Sequence, residues 1–287
     1  MGFHESVEID MLREVHLAAA LQIQEGEHWN QTVRDWKRLL QLNPAGCFGA
    51  FCAGKLIGTV TVITYQRHLA WIGMMLVAPE YRGRGIGKRL MCTALDHCQH
   101  RRVRTVKLDA TPAGRPLYES LGFTAECEIE RWQGQAALPK ARPSRQRRRN
   151  RNLHSTVCKL DDQAFYASRK RLLHSLLLDC CVTPALQMDD SGQALLGYAL
   201  ARNGSRGCYL GPIIATEQGV AVGLFDSLLE SLAKEVFVDI CVRNADFVAS
   251  LIKRGFARQR SLTQMTLGQQ STPISNLVFA IAGPELG

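Results

Sequence analysis

The sequence predicts an α+β chain made of two copies of one module, and three observations carry that prediction. The hydrophobic period alternates between helical and strand-like within each half, the order of elements in the first half returns in the second, and a basic segment without acids lies between them. Landmarks keep a nearly constant offset: Gly85 and Gly219 are 134 residues apart, Thr111 and Asn244 are 133 apart, and so are Gly122 and Gly255. A repeat of that length is a duplicated domain, because solenoid units run to only about 20 to 50 residues. The expected division is 1–132 for the first module, 133–152 for a linker and 153–287 for the second module.

Residues 8–24 carry a helical pattern, and Asn30-Gln31-Thr32 precedes a second helix through Trp36, Leu39 and Leu40. Residues 48–53, 55–65 and 69–77 read as strands. The last of these, LAWIGMMLV, is a continuous apolar run and belongs inside a sheet. A glycine-rich turn follows, then a helix with Ile86, Leu90, Met91 and Leu95 on one face, a strand over 103–109, a short helix over 115–121 and a last strand after Gly122-Phe123. The second half offers a helix over 162–178 and strands over 194–202 and 207–215. A helix striped by Val220, Leu224, Phe225 and Leu228 comes next, then a strand over 236–242, a helix over 244–253 and a strand after Gly255.

Composition excludes several classes. With 287 residues, 46% of them hydrophobic, the chain can bury sizeable cores and is not disordered. No stretch of about 18 uncharged apolar residues occurs and the N-terminal segment MGFHESVEID lacks a basic, apolar leader pattern, so a soluble cytoplasmic protein without a membrane partner is expected. Ten cysteines without a CxxC pair point to reduced thiols. The net charge of +9 is local: residues 133–152 hold Lys140 and six arginines without an acid, and removing those seven charges leaves +2. Such a segment reads as a solvated, flexible connector, which disfavours nucleic acid as the partner.

The turn APEYRGRGIGK, residues 78–88, carries the chemistry. It fails as a phosphate-binding GxxxxGK[ST] loop, because Arg82 replaces the first glycine and Arg89 follows Gly87-Lys88. It fails as GxGxxG, because from Gly83 the last position is Lys88 and from Gly85 it is Leu90. The Arg-Gly-Arg core of a minor-groove hook is excluded by its place between an apolar strand and an amphipathic helix. What remains is a nest of backbone amides at a helix N-terminus, flanked by Arg82, Arg84 and Lys88, suited to a diphosphate.

At this point the sequence resembles a family. Val77 to Gly87 is similar to motif A of the GCN5-related N-acetyltransferases, with Arg82, Gly85 and Gly87 in its Gln/Arg-x-x-Gly-x-Gly/Ala core, and LYESLGF at 117–123 is similar to motif B. The chain as a whole, including GPIIA at 211–215 and the ending GPELG, resembles a tandem subfamily whose second module is of the YitH-like type. The resemblance implies two folds in tandem, each a mixed, mostly antiparallel twisted sheet flanked by helices, with the fourth and fifth strands of the first module splayed apart. It implies acetyl-CoA as co-substrate and direct attack by a primary amine of a small molecule or peptide, by a monomer or homodimer.

By the same resemblance, the backbone of Met75, Leu76 and Val77 pairs with the pantetheine arm, and Arg82, Gly83, Arg84, Gly85, Ile86, Gly87 and Lys88 hold the diphosphate. Tyr118 takes the place of the general acid, and Thr111 stands where many relatives have asparagine and can cap the next helix. No glutamate lies on the fourth strand, so the proton acceptor is Asp109, His28 or a water chain, and Trp29, Asn30 and Trp71 are expected along the acceptor side. His97, Cys98 and His100 lack a fourth ligand, and no metal is expected. In the second module Thr216, Glu217, Gln218 and Val222 replace Arg82, Gly83, Arg84 and Lys88, and Leu251 replaces Tyr118. That module is therefore expected to bind no CoA and to shape the acceptor site instead. The alternative is a non-catalytic acyl-CoA sensor that docks an acidic or nucleic-acid partner through the arginine run.

Overall fold

The computed structural model describes residues 6–136, 153–269 and 275–287. Most of the expected connector therefore lies outside the described residues. Its first residues do not belong to it: the strand β6 (Thr124–Gln135) runs on through Gln133, Gly134 and Gln135. Those residues pair with Glu235 to Phe237 of a strand from the other half, and Gly134 is needed there because a Cβ would stand 2.6 Å from the Phe256 ring.

The first half contains β1 (Val7–Met11), α1 (Leu17–Glu25), α2 (Val33–Leu42), β2 (Cys47–Cys52), β3 (Lys55–Tyr65), β4 (Leu69–Val77), α3 (Ile86–His100), β5 (Thr105–Ala110), α4 (Arg115–Ser120) and then β6. The expected first helix is corrected at its start. Val7, Ile9 and Met11 alternate with polar residues and pair antiparallel with β2, so the segment is a strand. The start of α2 follows its sequence signal, with Thr32 and Asp35 bonded reciprocally at the helix end, Oγ1 to Oδ2 at 2.8 Å.

The second half contains α5 (Leu153–Phe165), α6 (Lys170–Leu178), β7 (Ala185–Met188), β8 (Leu195–Asn203), β9 (Cys208–Ala215), α7 (Gln218–Leu229), β10 (Glu235–Cys241), α8 (Ala245–Lys253), β11 (Ala257–Gly268) and β12 (Val278–Ala280). The single helix expected over 162–178 is two, broken where Tyr166 takes a left-handed backbone.

All strands join one mixed sheet in the order β1-β2-β3-β4-β5-β11-β6-β10-β9-β8-β7, with β12 paired to β9. Only β4 with β5 and β9 with β10 run parallel. The centre of that order is an exchange. β11 comes from the second half but pairs with β5, while β6 comes from the first half and pairs with β10. β6 and β11 also pair with each other along most of their length. One hydrophobic core joins the halves through Trp36 and Leu39 of α2 with Leu172 and Leu173 of α6, and each half keeps a further core on its own sheet. At the exchange, Arg131 of β6 and Asp239 of β10 form two hydrogen bonds of 2.8 and 2.6 Å with both side chains buried. Leaving either of them alone would bury an uncompensated charge.

Because each half closes its sheet with a strand of the other, scanning calorimetry of the full chain is expected to show a single cooperative transition; two separated transitions would contradict the exchange.

Candidate active site

Two strand irregularities open the site. β4 and β5 pair only from Leu69 with Thr105 to Ile72 with Leu108, although β4 continues to Val77 and β5 to Ala110. Between Gly73 and Leu76, β4 carries a bulge against β3, with Met74 at φ 48° and its carbonyl accepting from Thr59 Oγ1 at 2.7 Å. Past the bulge Leu76 and Val77 still pair with β3, but on the β5 side Met75, Leu76 and Val77 face a gap and not a strand. A cavity of about 520 Å³ fills that gap and is lined by all three residues.

At one end of the cavity lies the glycine-rich turn. Gly83 and Gly85 have φ of 74° and 76°, a backbone that any other residue would adopt only with strain, and Gly85 is the N-cap of α3. Gly87 has another reason: a Cβ there would press on the Met75 methyl at 3.2 Å. Among the described residues no backbone carbonyl accepts from the amides of Gly83, Arg84 or Gly85. These donors and the first amides of α3, together with the helix dipole, are oriented to hold an anion. The cations around them differ in freedom. Arg82 donates to Val77 O at 2.9 Å and pairs with Glu27, so it braces the end of β4. Arg84 donates to Glu80 O at 3.0 Å and lies over the Tyr81 ring, whereas Lys88 is exposed at the cavity edge.

Tyr118 and Asp109 also line the cavity. Burial pushes the Tyr118 phenol up to about 12, so it stays protonated at working pH. Thr111 accepts from the Gly114 amide at 3.2 Å and thereby secures the turn before α4, one step ahead of the helix cap expected of it. Asp109 accepts from Gln264 Nε2 at 3.3 Å through Oδ1, while its Oδ2 is buried without a partner. Burial above all, with the Asp239 and Glu285 carboxyls adding to it, raises the Asp109 carboxyl well above the usual carboxylate range; Gln264 and Lys107 pull the other way.

The far end is built by the second half. Residues 281–287 pass beneath β4, where Gly73 leaves room: a Cβ at Gly73 would stand 2.7 Å from Glu285 Cα. Trp71 Nε1 donates to Pro284 O at 2.9 Å, and the Tyr65 hydroxyl donates to Leu286 O. These contacts place Glu285 in the cavity wall, bonded by Gln31 Nε2 at 2.7 Å and by Arg202 at 3.2 Å, with Asp35 next in the network. Burial lifts the Glu285 carboxyl above its ordinary range and Arg202 opposes the shift. Arg260 and Leu262 of β11 complete this end.

Three expected residues lie elsewhere. His28 is exposed and does not line the cavity; its backbone carbonyl accepts from Arg206. Asn30 is buried at the contact between halves, where it binds Gly207 O and the amides of Arg206 and Gly207. Trp71 is spent on anchoring the C-terminal segment. Trp29 does line the cavity, together with Gln31 and Glu27. Glu285 and Arg260 escaped the sequence reading because nothing local marks them, although the GPELG ending was a visible signal that the segment has a defined place.

The two halves separately match models of acetyltransferase (GNAT) domains, the first over residues 10–123 and the second over 157–280. The chain belongs to the GCN5-related N-acetyltransferase superfamily as a tandem of two such domains, and is an acyltransferase enzyme of that type. In particular it is 26% identical, over 91% of its length and 88% of the other, to the holothin acyltransferase of Pseudoalteromonas sp. (strain SANK 73390). It is also 26% identical, over 98% of both chains, to YitH of Bacillus subtilis (strain 168), described as an uncharacterized N-acetyltransferase. The fold recurs in a Pyrococcus horikoshii structure assigned to the acetyltransferases, with a TM-score of 0.79 at 22% identity over 100% of this chain and 98% of that one. A tandem GNAT protein from the clavulanic acid biosynthesis pathway gives a TM-score of 0.61 at 13% identity over 93% and 100%.

The raised Asp109 has a consequence for stability. Its neutral form is favoured in the fold, so the stability it lends is complete below the unfolded-state value near 3.8 and is lost as pH rises through the folded-state value. Asp109→Asn is expected to raise the melting temperature at pH 8, with a gain that shrinks toward pH 4; a variant less stable than the parent at pH 8 would contradict the assignment.

Proposed function

We propose that the chain transfers the acetyl group of acetyl-CoA to a primary amine by direct attack in a ternary complex. The observation that carries this reading is the parting of β4 from β5 after Ile72 and Leu108, with a glycine-built turn at one end of the gap and the Tyr118 phenol and Asp109 carboxyl in its lining. In this reading the diphosphate sits on the amides of Gly83 to Lys88, and the pantetheine arm runs along the side of Met75 to Val77 that β5 leaves open. The acetyl group then lies between Tyr118 and Asp109.

The amine nitrogen attacks the thioester carbonyl carbon, a β4 amide stabilises the oxyanion, and the C–S bond breaks. Asp109 accepts the proton lost by nitrogen, which suits a carboxyl held above its ordinary range. Tyr118 donates to sulfur as negative charge grows there; at about 12 the phenol lies above a free thiol, near 8.5, so donation is concerted with bond cleavage. His28 has no such role in this reading, being outside the cavity. The sensor alternative is disfavoured because a protein that only binds acyl-CoA needs neither Tyr118 nor Asp109 facing the thioester position.

The second module is proposed to bind no CoA. Its equivalent of the gap, between β9 and β10, is taken up by β12, which pairs Val278 with Ile214 and Ala280 with Ile213, while the Ile281 amide donates to Asp239 O at 3.0 Å. The chain itself makes there the backbone pairing that the pantetheine makes in the first module. At the turn, Glu217 also presents a carboxylate where the first module has a glycine amide.

Isothermal titration with acetyl-CoA is expected to give one site per chain, abolished by Gly85→Glu; two sites would overturn the assignment of the second module. In thiol-release assays Tyr118→Phe is expected to lower kcat by about a hundredfold with acetyl-CoA affinity retained. An unchanged kcat would remove Tyr118 from the reaction.

A further inference from the structure

β11 reaches the cavity with an irregularity of its own. Arg258 pairs with Trp132 and Arg260 with Arg131, so Gln259 is an extra residue bulged out of register with β6. Beyond the bulge, Arg260, Leu262 and Gln264 alternate along the strand and share a face. Gln264 donates to Asp109, and Arg260 and Leu262 line the cavity. The bulge therefore delivers Arg260 to the same cavity that Tyr118 lines.

The charges at that end do not close on themselves. Arg131 is matched by Asp239 through two hydrogen bonds, and Glu285 by Arg202 and Gln31. Arg260 forms no ion pair among the described residues, and its Nε is buried without a partner. Burial, and then the Arg131 guanidinium, bring Arg260 down to about 10, so it is still a cation at neutral pH. Asp109 Oδ2 is likewise buried without a donor. Both residues line the cavity, and a guanidinium without an ion pair beside a carboxyl suits a ligand that supplies both an anion and a hydrogen-bond donor.

We infer that the acceptor is a small molecule carrying a carboxylate as well as its primary amine, with the carboxylate on Arg260 and the nitrogen at Asp109. The inference rests on the acetyltransferase reading above and narrows its acceptor class. A planar guanidinium matches a carboxylate through two parallel hydrogen bonds, which a lysine in its place could not make. The amine approaches the Asp109 carboxyl, attacks the thioester carbon as the C–S bond breaks, passes its proton to that carboxyl, and leaves as the N-acetyl derivative with its own carboxylate unchanged. The two anchors stand four residues apart along β11, Gln264 marking the position of Asp109, which is about 13 Å between backbones. That spacing sets the length of the acceptor.

The second half thus takes part in choosing the substrate. Arg260 on β11 and Glu285 in the C-terminal segment both come from a module that we propose has given up CoA.

The test is thiol release from acetyl-CoA by the full chain, with glycine, β-alanine, 4-aminobutyrate, 5-aminovalerate and the common α-amino acids, each beside its own carboxamide. At least one acid is expected to exceed its amide in kcat/KM by about ten- to a hundredfold, the loss usual for one charge-assisted contact. In Arg260→Gln that preference is expected to fall to within about threefold, while the affinity for acetyl-CoA and the melting temperature hold. Thiol release in which amides serve as well as acids, or a preference that survives Arg260→Gln, overturns the inference and leaves the acetyltransferase reading standing. Loss of acetyl-CoA binding in Arg260→Gln also overturns it, by placing Arg260 at the donor. No release with any amine removes both readings together.

Discussion

Each half of this chain completes its sheet with the last long strand of the other, and the rest of the molecule depends on that exchange. If β11 had returned to β10 and β6 to β5, each half would have closed on its own and the first-module cavity would have been walled by first-module residues alone. Exchanged, β11 lies against β5 and carries Arg260, Leu262 and Gln264 to the edge of the gap beside Asp109. The buried pair of Arg131 with Asp239 sits at the crossing, where neither charge has an alternative partner in solvent. Such a pair contributes little net stability against an apolar substitute, but breaking it is expensive, which helps fix the pairing of the strands.

The C-terminal segment extends the same logic. It first fills the gap between β9 and β10 as β12, then crosses under β4 and ends beneath the bulge. One short piece of chain therefore closes the cleft of the second module and forms a wall of the cleft in the first. Gly73 makes the crossing possible by having no side chain, while Trp71 and Tyr65 hold the segment through its carbonyls. The Asp35–Arg202–Glu285 network then ties it to α2 and β8. The half that has Thr216, Glu217, Gln218 and Val222 where the first has Arg82, Gly83, Arg84 and Lys88 thus supplies structure and charge to the cavity of the first.

Legibility from sequence divided along a physical line. Features set by near neighbours were readable. The continuous apolar run at 69–77 marked β4 as an interior strand, and the glycines at 83, 85 and 87 marked a tight turn into α3. The capping pair Thr32 and Asp35 is likewise a local device. Where tertiary pairing competes with a local period, the sequence is ambiguous: residues 8–11 read as the start of a helix because the alternation of β1 gains meaning only beside β2. The same holds for Gln133 to Gln135, whose polar composition resembles a connector until β10 lies alongside.

The sequence by itself determined that this protein is a duplicated acetyltransferase fold whose first half carries a glycine-rich, basic turn into α3, because glycine backbone freedom and clustered cations are properties of adjacent residues. It also placed Tyr118 and Asp109, which follow the turn at a spacing the fold imposes. Only the tertiary structure decided what faces them. Asn30, Trp71 and His28 were diverted from the cavity to the contacts between halves, and Arg260 and Glu285 were brought to it from more than a hundred residues away. The reason is that strand exchange and a crossing tail create neighbours between residues whose local sequences carry no trace of one another.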